Sequence, residues 1–296
     1  YLIRPQISTV RSRKDISVWR TFTFPTRGGE KKWTGTPIIA ANMQNIGTIG
    51  VARKLKEYGM LTALVKGDYL HDSYDLDNNA FETFGIHEPV PYKPQRAFIC
   101  FDIANGYMEQ LYDQVHSFSY HFPNTIIMAG NVVTSEGVEA LAKAGAHIIK
   151  VGLGSGAACT TRSKTGVGVP QIQAIQECSE AADRLGVYIC SDGGHRTPGD
   201  VAKSFVAGAD FVMLGNMLAG TDLTGETLYG NASKEVVNGN GVEARYKTHE
   251  GVALRVPYKG TLDDVIIDLL GGLRSTCSYV GAHNIADLNG KMLVRI

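Results

Sequence analysis

The sequence predicts an α/β chain folded as one (β/α)8 barrel of the TIM type, on three observations. Short runs rich in Ile, Val and Phe alternate with helical patterns, which is how a parallel sheet of βα units reads. The later runs show almost no polar alternation, as expected for strands covered on both faces. Most runs end in Gly, Asn, Asp or Lys, so polar groups collect at one end of the strands, the end that carries the active site in a closed eight-stranded barrel. A chain of 296 residues suits a single catalytic domain of this kind, taken here as 1–296.

The eight strands are expected near 37–43, 61–66, 81–86, 96–104, 124–132, 147–154, 187–194 and 211–216. Thr134 reads as the cap of a helix running to Lys143, with Gly145 ending it; Thr197 and Pro198 open another that Gly208 ends. Ala144-Gly145-Ala146 and Ala207-Gly208-Ala209 precede two strands in the same way, a partial repeat that suits a barrel. One connection breaks the pattern. His87 to Gln95 holds three prolines in nine residues and cannot form a helix. A parallel crossover with its helix needs roughly ten to twelve residues. Between 67 and 95 the expectation is therefore an abnormal or interrupted connection: an outer helix has been lost, or residues, including an accessory regulatory domain, are missing. The segment 221–260, rich in Gly, Asn, Thr and charge, follows the last strand and is expected to fold over the barrel mouth as a lid.

The 29 Lys and Arg balance the 29 Asp and Glu, so no net field points to nucleic acid or to a membrane surface. No apolar run has the length of a transmembrane helix. Five scattered cysteines, Cys100, Cys159, Cys178, Cys190 and Cys277, show no zinc spacing and suit a reducing compartment. A cytoplasmic location is expected. Both ends, Tyr1 and the run to Ile296, read as trimmed, so targeting tails are not legible.

The most informative run is 150–170. Ile148, Ile149 and Val151 stop at Gly152, Gly154 and Gly156, and Cys159 follows among Thr160, Thr161, Arg162 and Lys164. Bent glycine backbone brings carbonyls and amides close to an ion or substrate, and a thiol in polar, cationic surroundings suits a nucleophile. The competing explanation is a glycine-rich turn beside an inert small side chain.

Ordered along the chain, Pro37–Met43, Phe101–Tyr107, Met128–Val133, the cysteine loop, Ser191–Gly194, Gly208–Gly215 and Arg274–Cys277 together resemble the IMP dehydrogenase/GMP reductase barrel family. Asp102–Tyr107, Lys164–Gly168 and Tyr246–Gly251 resemble its reductase branch. That branch implies NADPH-dependent reductive deamination of GMP to IMP through a covalent cysteine intermediate, in purine salvage. The dehydrogenase branch, oxidising IMP with NAD by an Arg-Tyr pair on its flap, is the alternative, because Arg245 and Tyr246 adjoin here. A purine nucleotide-binding relative without turnover is the other.

The resemblance implies catalytic roles for Cys159, Thr161 and Glu250. It implies GMP contacts at Asp192, Gly193, Gly194, Gly215, Asn216, Gly230, Asn231, Ala232, Lys247, Thr248, His249 and Gly251. NADPH is implied at Lys66, Asp102, Ile103, Ala104, Ser275, Thr276, Cys277 and Ser278. Ser12 and Arg13 match residues that reach a neighbouring subunit's cofactor, and a homotetramer is the expectation. Backbone carbonyls at Gly154, Gly156 and Cys159, with Arg162 nearby, match a potassium site. The chain departs from the family pattern at Gln44 and Asn45, which stand in place of Asp-Thr, at Asn216 in place of a glycine, and at Lys247 in place of an arginine.

Overall fold

The computed structural model describes residues 1–67, 76, 78–86, 94, 96–238, 248–288 and 293–295. Strand β1 (Leu2–Ile3) comes first, and a hairpin, β2 (Arg20–Thr26) and β3 (Gly29–Gly35), precedes the barrel. The barrel then opens with β4 (Ile38–Ala40), α1 (Ile49–Glu57) and β5 (Leu61–Ala63). It continues through β6 (Ala80–Phe84), β7 (Phe98–Asp102), α2 (Glu109–His121), β8 (Ile126–Val132), α3 (Ser135–Ala144) and β9 (Ile148–Val151). After the short α4 (Thr161–Thr165) come α5 (Gln171–Leu185), β10 (Tyr188–Asp192), α6 (Pro198–Ala207) and β11 (Phe211–Leu214).

Strands β4 to β11 pair in parallel and close on themselves, β11 returning to β4 through Val212–Ile38, Met213–Ile39 and Leu214–Ala40. All eight expected strands are present. They are shorter than expected mainly at their C-terminal ends, where the chain leaves the ladder to build loops. The helix ends follow the local chemistry. Thr134 Oγ1 accepts from the Gly137 amide, and Gly145, at φ 109°, ends α3. Thr197 and Asp200 cap each other's backbone at the start of α6, the reciprocal arrangement that satisfies two free amides.

Among the described residues, neither the β5–β6 nor the β6–β7 connection contains an α-helix. Residues 68–75, 77, 87–93 and 95, where the abnormal connection was expected, lie outside the described set.

The hairpin was not anticipated. Phe22, Phe24 and Trp33 join the barrel interior with Ile39, Phe81, Phe98, Ile148 and Phe211. Phe22 stacks on Phe211 at 4.2 Å between centroids and meets Tyr188 edge-on at 5.1 Å. Since Phe98, Ile148, Tyr188 and Phe211 open their strands, the aromatic hairpin plugs the N-terminal end. Arg20 ties it to Asp210 at 3.2 Å. Two further clusters fill the layer between strands and helices. The opposite end of the barrel is left for chemistry.

The segment after β11 has more order than its composition suggested. Strands β12 (Thr227–Tyr229) and β13 (Ala253–Arg255) pair antiparallel, and α7 (Lys234–Asn238) lies between them. The final elements are α8 (Leu262–Val280), with a Thr261–Asp264 capping box, and β14 (Leu293–Val294), which pairs with β1. Among the described residues no helix is long and apolar enough to cross a membrane.

Candidate active site

A cavity of about 1340 Å³ opens at the C-terminal ends of the strands. Its walls come from the β4 end (Ala41–Met43), the cysteine loop, the Asp192–Arg196 turn, Gly215 and Asn216, and two pieces of the lid, 230–232 and 248–251. The lid therefore covers the mouth, as expected.

The cysteine loop is held by close backbone approach. A Cβ on Gly152, whose φ is +152°, would sit 2.0 Å from the carbonyl oxygen of Asp192. Only glycine lets the ends of β9 and β10 come this near. Arg162 lies behind the loop, its Nε donating to the Leu153 carbonyl at 3.1 Å and an Nη to that of Val169 at 2.6 Å. The lid docks on the same loop. The Thr160 amide donates to the Glu250 carbonyl at 2.8 Å, and the Val252 amide to that of Ala158 at 2.9 Å. Cys159 and Gly251 form a bridge across this seam.

That docking lines up three side chains. Cys159 Sγ lies 3.2 Å from Thr161 Oγ1, and Thr161 Oγ1 donates to Glu250 Oε2 at 2.8 Å. A carboxylate can only accept, so the hydroxyl proton is committed to Glu250 and the proton between oxygen and sulfur belongs to the thiol. Cys159 is partly exposed in the cavity, whereas the other four cysteines are buried. Burial pushes Cys100 and Cys178 up to about 12 and Cys277 to about 11, and raises Cys190 as well. Among the described residues, the accessible thiol is the one in the loop.

A second polar cluster forms the cavity floor. Lys150, on β9 and with its side chain 2% exposed, places Nζ 2.5 Å from Asp102 Oδ1 and 3.2 Å from Asp192 Oδ2. Asn42 donates to Asp102 Oδ2, and Asn131 to Asp192 Oδ2, both at 2.9 Å. Lys66 reaches the Asp102 carbonyl at 3.2 Å, and Asn231, from the lid, reaches Asp102 Oδ2 at 3.4 Å. Burial opposes the charge on Asp102, but Lys150 and Lys66 outweigh it and hold the carboxyl at about 2. Burial likewise opposes the charge on Lys150, and the two carboxylates outweigh it, keeping the amine protonated well above the usual lysine range.

The other expected residues fall into three groups. Asp192, Gly193, Gly194, Gly215, Asn216, Gly230, Asn231, Ala232, Thr248, His249, Gly251, Lys66, Asp102, Ala104, Gly154, Gly156 and Cys159 all line the cavity. Ile103 does not; it is buried, its amide bonded to the Gly130 carbonyl. Cys277 does not either; its side chain is fully buried in the core under α8. Ser275 and Thr276 donate to carbonyls one turn back in α8, and Ser278, Ser12 and Arg13 also lie outside the cavity wall. Lys247, with Arg245 and Tyr246, lies outside the described residues. Gln44 is exposed and stands off the wall, so that departure from the family pattern does not touch the cavity.

The residues missed by motif reading are Lys150, Asn42 and Asn131. Lys150 carried a signal of its own, a charge inside an apolar strand, which must be paired when buried.

Residues 93–296 match the family model described as the IMP dehydrogenase / GMP reductase domain. The chain is 44% identical to the GMP reductase of Vibrio cholerae over 315 aligned positions, covering 97% of this chain and 90% of that protein. It is 42% identical to GMP reductase 1 of Homo sapiens over 323 positions (97% and 91% covered) and 42% identical to GMP reductase 2 of Mus musculus over 315 (97% and 90%). Since 97% of this chain is about 287 residues, about 28 of the 315 positions in the Vibrio alignment have no counterpart here.

Proposed function

The chain belongs to the IMP dehydrogenase/GMP reductase family, and from that premise we propose that it converts GMP to IMP by NADPH-dependent reductive deamination, with release of ammonia. The hydrogen-bonded line from Cys159 through Thr161 to Glu250 carries this reading. It supplies both a nucleophile and a proton acceptor at the mouth of one cavity.

Glu250, acting through the Thr161 hydroxyl, takes the thiol proton and leaves a thiolate at Cys159. The sulfur adds to C2 of the guanine ring, forming the S–C2 bond as the C2–N3 π bond breaks and its electron pair moves onto N3. Glu250 returns its proton through Thr161 to the amine on C2. The exocyclic C2–N bond then breaks and ammonia departs while the N3 pair re-forms the C2–N3 double bond, leaving a thioimidate on Cys159. NADPH, when bound, supplies hydride to C2. The C2–S bond then breaks, the electron pair returns to Cys159 and IMP is released. GMP, NADPH and one proton are consumed; IMP, NADP+ and ammonia are formed.

The cavity fits two ligands. Its volume exceeds the range of about 300–1,000 Å³ usual for one small-molecule site. Gly193, Gly194, Gly215 and Asn216 offer backbone to the nucleotide phosphate, and Asp192 suits its ribose hydroxyls. Thr248, His249, Gly251, Gly230 and Ala232 cover the base. Lys66, Asp102 and Ala104 would hold the nicotinamide side. Ser12, Arg13 and the outward residues of 275–278 lie away from this cavity, which supports their completing the cofactor site of a neighbouring subunit in a homotetramer.

The carbonyls of Gly154, Gly156 and Cys159 are neutral oxygen donors of the kind a potassium ion accepts, with Arg162 behind them holding the loop. The ion would brace the loop that presents Cys159. One partly exposed thiol and four sealed ones suit a reducing cytoplasm.

The test is ammonia release and loss of nicotinamide absorbance with GMP plus NADPH, with potassium present and then replaced by sodium. Turnover with this pair, weakened without potassium, supports the reading. Reduction of NAD by IMP, with no reaction of GMP, overturns it in favour of the dehydrogenase.

A further inference from the structure

We propose that Lys150 is a positioning residue that couples the nucleotide subsite to the cofactor subsite, an inference that rests on the functional reading above. The bridge is built into the barrel. Register pairs Asp102 with Gly130 and Gly130 with Lys150, so the three stand in one row across β7, β8 and β9, and Lys150 pairs with Cys190 on β10. To reach Asp102, the lysine must cross the intervening strand. A Cβ on Gly130 would lie 2.5 Å from the Lys150 Cβ, so the missing side chain is what gives the lysine stem its passage.

At the end of that stem one ammonium serves two carboxylates from different strands, Asp102 at 2.5 Å and Asp192 at 3.2 Å. Each carboxylate is also held by an amide, Asn42 on Asp102 and Asn131 on Asp192. Both bonds to Asp192 fall on Oδ2, leaving Oδ1 for a ribose hydroxyl. The lid residue Asn231 adds a longer contact to Asp102.

Two carboxylates sharing one cation are not independent. A hydrogen bond donated by a ligand to one of them weakens its hold on Lys150, and the ammonium shifts toward the other. Occupation of the nucleotide side is therefore felt on the cofactor side, and by linkage the converse holds to the same degree. A lysine that only neutralised buried charge would raise the affinity for both ligands without linking them.

The experiment uses IMP and NADPH, a pair that cannot turn over because C2 of IMP already carries hydrogen. Calorimetric titration measures the NADPH dissociation constant with and without saturating IMP. In the unaltered protein the two values are expected to differ by about fivefold or more. In Lys150→Met the ratio collapses toward one, and Lys150→Arg, which keeps a cation, retains most of it. Thermal melting of each variant accompanies the titrations. Should Lys150→Met not fold, Asp192→Asn removes one arm of the bridge with no change of size. It is expected to shift NADPH affinity about threefold or more with no nucleotide present. An unchanged ratio in Lys150→Met, or an unchanged NADPH affinity in Asp192→Asn, overturns the proposal. Failure of the unaltered protein to bind either ligand overturns the functional reading itself, and this inference with it.

Discussion

Thr161 donates a hydrogen bond to Glu250 across 2.8 Å, although 89 positions separate the two in the chain. One residue opens α4 beside the nucleophile; the other belongs to the lid. Their contact depends on the backbone seam between Thr160 and Glu250 and between Ala158 and Val252. The proposed proton path would thus be assembled from two segments that meet at the mouth of the barrel.

Replacing the proposed nucleophile should separate binding from chemistry. Cys159→Ala should abolish turnover while leaving GMP affinity within about threefold, because the sulfur forms a bond in the reaction and makes little of the ground-state contact. Equilibrium binding beside a steady-state assay checks this. Retained turnover would remove the covalent step.

Glu250→Gln keeps the shape and the acceptor oxygen of the side chain but cannot take a proton. Deamination should slow by about 10²–10⁴-fold, the usual contribution of a positioned acid–base group. Hydride transfer should slow less. Rapid-quench measurement of ammonia set against stopped-flow nicotinamide absorbance resolves the two. Equal loss in both steps would count against the assigned role.

Gly152→Ala places a methyl group 2.0 Å from the Asp192 carbonyl, on backbone at φ +152°. The overlap and strain together should cost about 2–5 kcal/mol of stability. Because Asp192 is the residue displaced, KM for GMP should rise as well. A melting curve unchanged from that of the unaltered protein would show that the two strand ends can part without penalty.

Burial lowers His147 and His195 from 6.5 to about 4. The unfolded chain therefore takes up these protons first as pH falls. Stability from the two neutral rings is full above about pH 6.5 and is lost toward pH 4, by up to roughly 3 kcal/mol each. Asp210 works in the opposite sense. Burial pushes it up to about 6, so the folded state takes its proton first, and this offsets part of the loss. Melting temperature should fall between pH 6.5 and 4.5. The fall should be shallower in His147→Asn, whose amide oxygen can still accept from the Ile127 amide as the ring nitrogen does.

The barrel was legible because its signals are local. Apolar runs without alternation mark buried strands, and Thr134, Gly145, Thr197 and Gly208 mark helix ends through hydrogen bonds within a few residues. The hairpin escaped because Phe22, Phe24 and Trp33 declare no partner; their role comes from Tyr188 and Phe211, far along the chain. The lid sheet escaped because each of its strands is three residues long. Cys159 stood out by its surroundings, whereas Thr161 took its expected role from the family resemblance. Glu250 was visible only through family resemblance, since nothing local marks a carboxylate as a partner for a distant hydroxyl. The burial of Cys277 was not legible either, because it depends on which face of α8 meets the barrel, and the sulfur lies on that face.

The glutamate's residence on the covering flap has an operational consequence. Should that flap swing away, Thr161 would lose its contact with Glu250, and under the proposed roles an open vestibule would also be a disarmed one. Enclosure and activation would then be a single event, and a guanine nucleotide that arrived without drawing the roof down would meet only an idle thiol.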